Sequence, residues 1–239
     1  MRPATAAAVR CQDCGLHTLC YPPSFAGDTL DRVASLVGQG EPLPSGSLIY
    51  AQGDAPEHLY AVRSGAVKTV MTDADGNEQI TGFYLPGEVV GLENLGQSAC
   101  VAAAVTLGRT AVCALPVDGI SALSRQLPDL QQHLFRIMST ALRADYQRQH
   151  LLARGSADRR LASFLLGLAA RQRQRRLDDR DLRLPMSRAD LGNHLGLALE
   201  TVSRAFGALQ DQGILAVSGK QVSILDSDRL ADLGAGHCR

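Results

Sequence analysis

The sequence predicts an α+β fold in three parts: an N-terminal antiparallel β-roll of the jelly-roll, cyclic-nucleotide-binding type, a long helix, and a C-terminal winged helix-turn-helix domain. Short apolar runs between glycine turns fill residues 40–120, which is typical of antiparallel sheets rather than βαβ units. Apolar residues recur at helical spacing over 118–154, and the pattern of residues 186–225 predicts two short helices followed by a hairpin. The 239 residues are enough for two ordinary domains, each with its own core.

The composition, 45% hydrophobic and 20% charged, is that of a globular protein. No run approaches the roughly 20 apolar residues of a membrane helix, and the start of the chain is too short and too weakly apolar for a signal peptide. We therefore expect a cytoplasmic protein with no membrane partner, in which cysteines have metal or redox roles rather than a disulfide framework. Lys and Arg number 11 against 14 Asp and Glu in residues 1–154, and 13 against 10 in 155–239. An acidic N-terminal part and a basic C-terminal part fit a sensing domain joined to a DNA-binding domain.

Residues 1–27 are a cysteine-rich segment in which Cys11, Cys14 and Cys20 are spaced C-x-x-C-x5-C. Three thiolates on a short irregular loop can converge on one centre, and the distant Cys113, in the run TAVCALP, can complete the shell. Iron–sulfur clusters are tied to proteins in this way, and tetrahedral zinc would use the same thiolates. The cysteines alone do not choose between the two.

Residues 28–120 are predicted to form the sensory roll. A helix is expected over 28–38, capped by Asp28 and stopped by Gly38. Strands are expected in SLIYAQGD, in LYAVRSGAVKTVMTDADGNEQITGFYL and in GRTAVCALPV, with one turn at Asp75-Gly76-Asn77.

Residues 121–154 are predicted to form a dimerisation helix, because apolar residues recur at alternating three and four positions as in a coiled-coil seam. In this register Asp145 would face its own copy in a partner subunit, and the repulsion would leave dimerisation near balance. A helix packed on its own roll, with Asp145 paired to Arg143 or Arg148, is the alternative. Gly155-Ser156 marks the expected hinge. The recurring seam residues are Leu127, Leu130, Leu134, Ile137, Ala141, Ala144 and Leu151, and the residues predicted to make the dimer contact are Leu134, Ile137, Ala141, Leu142 and Asp145.

Residues 155–239 are predicted to form the DNA-binding domain. Ser187 can cap a first helix with Asp190 as a capping box, and Gly196 permits a tight turn. A second helix would bury Leu199, Val202, Phe206 and Leu209, and would end at Gly213. Its other face suits the major groove, because arginine reads guanine and short polar residues suit bases or phosphate. An ordinary helical pair is the alternative. The predicted DNA contacts are Glu200, Thr201, Ser203 and Arg204 on the second helix and Lys220 in the hairpin turn.

The run LGLALETVSR resembles the helix-turn-helix of the cyclic-AMP-receptor superfamily of bacterial regulators, and the roll resembles the effector domain of that superfamily. With CQDCGLHTLC in front and Cys113 behind, the chain resembles the oxygen-sensing fumarate–nitrate-reduction (FNR) branch over residues 11 to 235. The resemblance implies one [4Fe–4S] cluster that promotes dimerisation and DNA binding at low oxygen, activating or repressing genes of anaerobic or microaerobic metabolism. The cluster would be held by Cys11, Cys14, Cys20 and Cys113.

The resemblance also implies the partners. Glu200, Ser203 and Arg204 match base-reading positions, which implies a homodimer on a palindrome similar to TTGAT–N4–ATCAA. An exposed turn lies where such regulators contact RNA polymerase, and its residues are Asp73, Asp75, Gly76 and Asn77.

Two departures from the superfamily pattern bear on function. The run GEVVGLENLGQSACVAAAVTL contains no arginine, and a phosphodiester buried there would lack its counter-charge, so no cyclic nucleotide is expected. Cys100 and Cys238 have no place in the four-cysteine pattern.

Three alternatives compete with this reading. The cysteines could bind zinc or act as redox thiols, or the roll could bind an uncharged small effector. The third alternative, an enzyme or electron carrier, is not expected, because the sequence has no nucleophile–base pair, P-loop or dinucleotide fingerprint.

Overall fold

The cysteine-rich segment forms short helical turns in this computed structural model, which describes residues 10–22 and 24–235. A 3-10 turn spans Cys11–Asp13, and helix α1 spans His17–Cys20. Helix α2, Asp28–Ala34, is shorter than predicted: Gly27 is its N-cap, Asp28 is its first residue, and Gly38 belongs to a strand instead of ending the helix.

The roll consists of two four-stranded antiparallel sheets, which confirms the predicted architecture. The strands are β1 Gly38–Gln39, β2 Leu48–Tyr50, β3 His58–Ser64, β4 Val67–Thr72, β5 Glu78–Tyr84, β6 Val89–Val90, β7 Ala103–Thr106 and β8 Ala111–Pro116. One sheet has the strand order β1-β8-β3-β6 and the other has the order β2-β7-β4-β5. Apolar residues of both sheets, among them Val62 and Val67, are fully buried because strand alternation turns every second side chain inward.

The helical stretch predicted from residue 118 is two helices, α3 (Val117–Ser124) and α4 (Pro128–Arg154). Pro128 begins α4 because proline has no amide hydrogen to continue a preceding helix but fits the first helical turn. The long helix therefore starts at 128 rather than at 121. Two compact units meet inside it, between Thr140 and Ala141, whereas the sequence places the hinge at 155–156.

The C-terminal unit continues with helices around a three-stranded sheet in the order β10-β11-β9. The charges of the run LDDRDLRLP, residues 177–185, predict a loop, and this is wrong at Asp181–Arg183, because Leu182 is buried and the three residues pair with the hairpin as a strand. A C-terminal helix, α8, was not predicted. The elements are α5 Ala157–Gln174, β9 Asp181–Arg183, α6 Arg188–Leu195, α7 Leu199–Asp211, β10 Leu215–Ser218, β11 Gln221–Ile224 and α8 Ser227–Ala235.

Within residues 10–22 and 24–235, none of the helices combines the length and the apolar character that a bilayer crossing requires.

Candidate cysteine centre and nucleic-acid interface

The four cysteines of the predicted centre lie near one another. Cys11 is in the 3-10 turn, Cys14 follows it, Cys20 ends α1, and Cys113 lies in β8. Cys11 is 8% exposed and the other three are half-buried. Cys11, Cys20 and Cys113 border the same apolar core. The fold thus brings the N-terminal turn and strand β8 to the same core, and a common centre held by the four cysteines stays a prediction.

The thiols also interact electrostatically. Burial, and then the neighbouring thiols of Cys14, Cys113 and Cys11, raises the pKa of Cys20 to about 12. Burial raises the pKa of Cys113 as well, although the Arg63 guanidinium opposes the rise. The Cys20 and Cys113 thiols are therefore protonated at neutral pH, and their conversion to thiolates needs a cationic centre to offset burial and mutual repulsion.

The donor chemistry of this site fits both an iron–sulfur cluster and zinc, because all four side chains are thiols. Over residues 10–22 and 24–235, no group of three or more His, Cys, Asp or Glu side chains already has metal-binding geometry. The thiols are near each other without forming a finished ligand shell, so a metal or cluster bound there would require them to move closer together.

The cysteine segment is tied to the start of the long helix. The Ser24 hydroxyl donates to the Asp129 carboxylate over 2.8 Å. One continuous core joins Cys11 to Leu130 of α4, and it also contains Tyr21, Phe25, Leu30 and Leu115. A change in the cysteine turn can therefore reach the inner face of α4 through packed side chains.

Two residues predicted at the dimer seam face their own domain. Leu134 and Ile137 are partly buried and pack on the core that contains Leu130. In the single chain the roll already packs on the side of α4 that carries these two residues, and a dimer contact through them stays a prediction.

A different apolar stripe of α4 is exposed in the single chain. Its members recur at three and four positions, so they lie on one helix face. Of the predicted residues, Leu142 belongs to this stripe, and Ala141 and Asp145 are exposed beside it. Asp145 accepts a hydrogen bond of 3.1 Å from Arg148, which is the pairing named as the alternative. The stripe consists of Phe135 (60% exposed), Met138 (38%), Leu142 (53%) and Tyr146 (61%).

The first helix of the helix-turn-helix begins as predicted. The Asp190 amide donates to the Ser187 hydroxyl over 3.0 Å, and the Asp190 carboxylate accepts from the Ser187 amide over 3.1 Å. These reciprocal bonds form the capping box. Gly196 ends α6 with φ at +62°, a conformation that glycine adopts without strain.

Gly192 is a positional requirement that the sequence did not reveal. A Cβ atom there would lie 2.7 Å from the Leu197 carbonyl oxygen, which is closer than real Cβ contacts. Only a residue without Cβ lets the turn between α6 and α7 fold back this tightly.

Helix α7 has the two faces expected of a recognition helix. Val202, Phe206 and Leu209 are buried, whereas Leu199, predicted to be buried with them, is 46% exposed because it is the first helical residue. The opposite face is polar: Glu200, Ser203 and Arg204 are exposed, and Thr201 is half-buried.

Two polar side chains of α7 are held in place from within the helix. Arg204 donates to the Thr201 hydroxyl over 3.2 Å, and the Ser203 hydroxyl donates to the Leu199 carbonyl over 3.0 Å. Such local bonds reduce the side-chain entropy lost on contact with a base edge.

The wing is anchored by two basic residues. Lys220 donates to the Pro185 carbonyl over 3.0 Å. Arg188, which the sequence did not single out, stacks 3.5 Å over the Phe206 ring and donates to the Gly219 carbonyl over 3.4 Å. Arg188 thereby connects α6, the recognition helix and the wing turn, and its half-buried guanidinium has one buried nitrogen, Nη1, without a hydrogen-bond partner among the described residues.

The turn predicted to contact RNA polymerase is exposed and well ordered by its own hydrogen bonds. The Asp73 carboxylate accepts from the amides of Asp75 and Asn77 over 2.9 Å each, and also from the Asn77 side chain. These bonds, the Asn77 side chain first, hold the pKa of Asp73 below its ordinary value. Gly76 adopts φ of +83° at the tip.

A hollow of about 280 Å³ on the roll is lined by acidic and aromatic side chains. Asp54 and Glu57 stand at it together with Tyr50, Tyr60 and His58. Two carboxylates make it unsuitable for an anion. Cys100 also lines the hollow and is buried in the roll core, and Cys238 lies outside the described residues.

Two family profiles match the sequence. Residues 41–126 match the cyclic nucleotide-binding domain, and residues 159–233 match the Crp-like helix-turn-helix domain. Together they correspond to the roll and the C-terminal unit.

Curated relatives and solved structures cover nearly the whole chain. The transcriptional activator protein Anr of Pseudomonas aeruginosa is 44% identical over 95% of this chain and 93% of its own. The fumarate and nitrate reduction regulatory protein of Escherichia coli is 39% identical over 97% and 92%. The structure of FixK2 from Bradyrhizobium japonicum superposes with a TM-score of 0.73 at 33% identity, covering 82% of this chain and 96% of that chain.

Proposed function

The chain belongs to the CRP/FNR family and is a DNA-binding transcription regulator rather than an enzyme, and on that premise we propose that it makes DNA binding depend on oxygen through a [4Fe–4S] cluster. Cys11, Cys14, Cys20 and Cys113 would hold the cluster. When bound, the cluster supplies a crosslink between the N-terminal turn and β8 that oxygen can destroy. The proximity of these four thiols is the observation that carries the proposal.

The packing on the inner face of α4 supports a path from the cysteines to dimerisation. Cys11 shares a core with Leu130, and Ser24 bonds to Asp129 in the first turn of α4. Holding the cysteine turn in place orders the side chains on which α4 rests. The exposed stripe defined above is then presented on a fixed helix to a second copy of the chain.

Association of two copies would bury the stripe and bring two Asp145 carboxylates close together. Apolar burial favours the dimer by about 25 cal/mol per Å², and carboxylate repulsion opposes it. A balance between the two makes the dimer responsive to modest changes in the order of the helix.

The dimer would read a palindrome similar to TTGAT–N4–ATCAA. Glu200, Ser203 and Arg204 are exposed on α7, where they can reach base edges, with Thr201 beside them. Lys220 in the wing is exposed and can approach phosphate. Two recognition helices about one DNA turn apart double the phosphate contacts of one subunit.

Contact with RNA polymerase is proposed for the exposed turn formed by Asp73, Asp75, Gly76 and Asn77. Its internal hydrogen bonds present a fixed shape, which supports recognition by a partner with little loss of entropy. The names of the relatives, a transcriptional activator and a fumarate and nitrate reduction regulator, support activation or repression of genes of anaerobic or microaerobic metabolism in the cytoplasm.

Metal analysis of two matched variants tests the proposal. Full-length protein purified without oxygen should be brown, with about four irons and about four sulfides per chain, and should bleach in air. Cys113→Ala should abolish this colour, whereas Cys100→Ala should retain it, because Cys100 lies in the roll core. A colourless, air-stable protein containing zinc would overturn the oxygen proposal and leave the DNA-binding assignment intact.

A further inference from the structure

One arginine at the base of the C-terminal unit binds four backbone carbonyls. Arg160 donates through Nε to Gly155 over 2.9 Å and through Nη2 to Leu152 over 2.9 Å. Its Nη1 donates to Leu195 over 2.9 Å and to Gly196 over 3.2 Å. These four bonds use four of the five N–H groups of the guanidinium.

The four acceptors belong to two helix ends. Leu152 is in the last turn of α4, and Gly155 lies just beyond it, whereas Leu195 ends α6 and Gly196 caps it. The last carbonyls of a helix have no partner inside it and carry partial negative charge. Arg160 therefore satisfies the C-termini of the long helix and of the first helix of the helix-turn-helix at once.

The guanidinium lies beside the turn into α7. A Cβ atom at Gly196 would lie 3.4 Å from Arg160 Nη1 and 3.5 Å from a Leu152 methyl carbon, which are ordinary van der Waals contacts. The positive φ of Gly196, and not the arginine, favours glycine at this position. Lysine could not replace Arg160, because a single ammonium lacks the planar fork that reaches both helix ends.

We propose that Arg160 is a positioning residue that fixes the helix-turn-helix on the end of α4 and so determines which half-site spacing the dimer accepts. The inference rests on the proposed dimer and palindrome. The proposed dimer stripe ends at Tyr146, only six residues before Leu152 on a continuous helix, or about 9 Å at 1.5 Å per residue. A rigid junction so near the dimer contact holds the two recognition helices at one separation.

A rigid junction between α4 and the helix-turn-helix fixes the half-site spacing that the dimer accepts, whereas a flexible junction does not. Each base pair added between half-sites moves them apart by roughly 3.4 Å and rotates them by roughly 34°. A dimer with fixed recognition helices loses its second contact under this change, whereas one with a flexible junction adapts and keeps part of its avidity.

The test compares duplexes that carry identical half-sites separated by three, four, five or six base pairs. Binding to full-length protein prepared without oxygen is followed by fluorescence anisotropy. Wild type should bind the four-base-pair spacing about tenfold more tightly than the others. Arg160→Gln and Arg160→Lys should both reduce this preference to within about threefold, with affinity for a single half-site changed less than about twofold.

Arg159→Gln is the matched control. Arg159 lies beside Arg160 on α5, but its guanidinium donates to Gly234 and Ala235 at the end of α8, over 3.5 and 3.3 Å. This variant should keep the wild-type spacing preference.

Wild-type selectivity in Arg160→Gln, or its restoration by lysine, would overturn the inference. An equal loss of half-site affinity would do so too, because Arg160 would then be supporting the helix-turn-helix fold itself. Wild type without any spacing preference would instead overturn the proposed dimer and palindrome, and the inference with them.

Discussion

Gly192 is required for the close turn between the two helices of the helix-turn-helix. In Gly192→Ala the new methyl group would meet the Leu197 carbonyl oxygen at 2.7 Å, so the backbone must shift. We expect a loss of about 1–3 kcal/mol in the free energy of unfolding, the range for overpacking. Denaturant unfolding followed by circular dichroism measures it.

Gly207 provides the control on the neighbouring helix. A Cβ atom there has nothing within 4 Å, and alanine favours a helix interior over glycine by about 0.5–1 kcal/mol. Gly207→Ala should therefore be neutral or stabilising. Equal unfolding midpoints for Gly192→Ala and wild type would contradict the steric role of Gly192.

Asp145 is a second residue whose role a single substitution can test. Its bond to Arg148 is exposed, and exposed ion pairs contribute little to stability. Asp145→Ala should therefore leave the monomer intact while removing repulsion between subunits, so that air-exposed protein forms more dimer by sedimentation velocity.

Asp118→Ala is the charge-matched control for Asp145→Ala. Asp118 is exposed on α3, so its replacement removes the same charge away from the stripe of α4. If the two variants sediment like wild type, Asp145 has no part in dimerisation.

At the scale of elements, α4 has two apolar faces with different partners. Leu134 packs on the roll core, whereas Phe135 is 60% exposed. Phe135→Ser should weaken the dimer by at least tenfold in dissociation constant, as expected for a buried aromatic contact, and leave monomer stability near wild type.

Leu134→Ala should have the opposite profile. Truncation of a leucine packed on a core costs about 2–5 kcal/mol when fully buried, and less at a half-buried site. Thermal unfolding should show this loss. A stable Leu134→Ala monomer that no longer dimerises would restore the register predicted from the sequence.

Comparison of these elements shows how much the sequence could predict. The helix-turn-helix was predictable because its capping box and its left-handed Gly196 are local signals. The four cysteines could be named from residue type and spacing, and the centre they would form stays a prediction. The side of α4 that the roll covers could not be predicted, because α4 carries two overlapping apolar patterns.

Some elements were missed for similar reasons. In Asp181-Leu182-Arg183-Leu184 polar and apolar residues alternate as in a strand, but charged neighbours concealed the signal, and pairing with β11 is a long-range contact. The role of Arg160 depends on two helix ends brought together in space. No periodic pattern in the sequence indicates that contact.

At the scale of the whole molecule, each of the two compact units contains one end of α4, the first with the cysteines and the second with the helix-turn-helix. The centre and the start of α4 share one core, and the end of α4 is bound to the helix-turn-helix by Arg160. The basic excess lies in residues 155–239, where DNA would be contacted. Under the proposed function, loss of the cluster at the cysteines would act on DNA binding through dimerisation.

The most direct test is one titration of a duplex carrying TTGAT–N4–ATCAA with full-length protein prepared without oxygen, repeated on the same sample after exposure to air. We predict tight binding before exposure and at least a hundredfold weaker binding afterwards, since loss of the dimer removes the avidity of the second half-site. Cys113→Ala should bind weakly in both conditions. Equal affinity of the wild-type protein before and after air would contradict oxygen control of DNA binding.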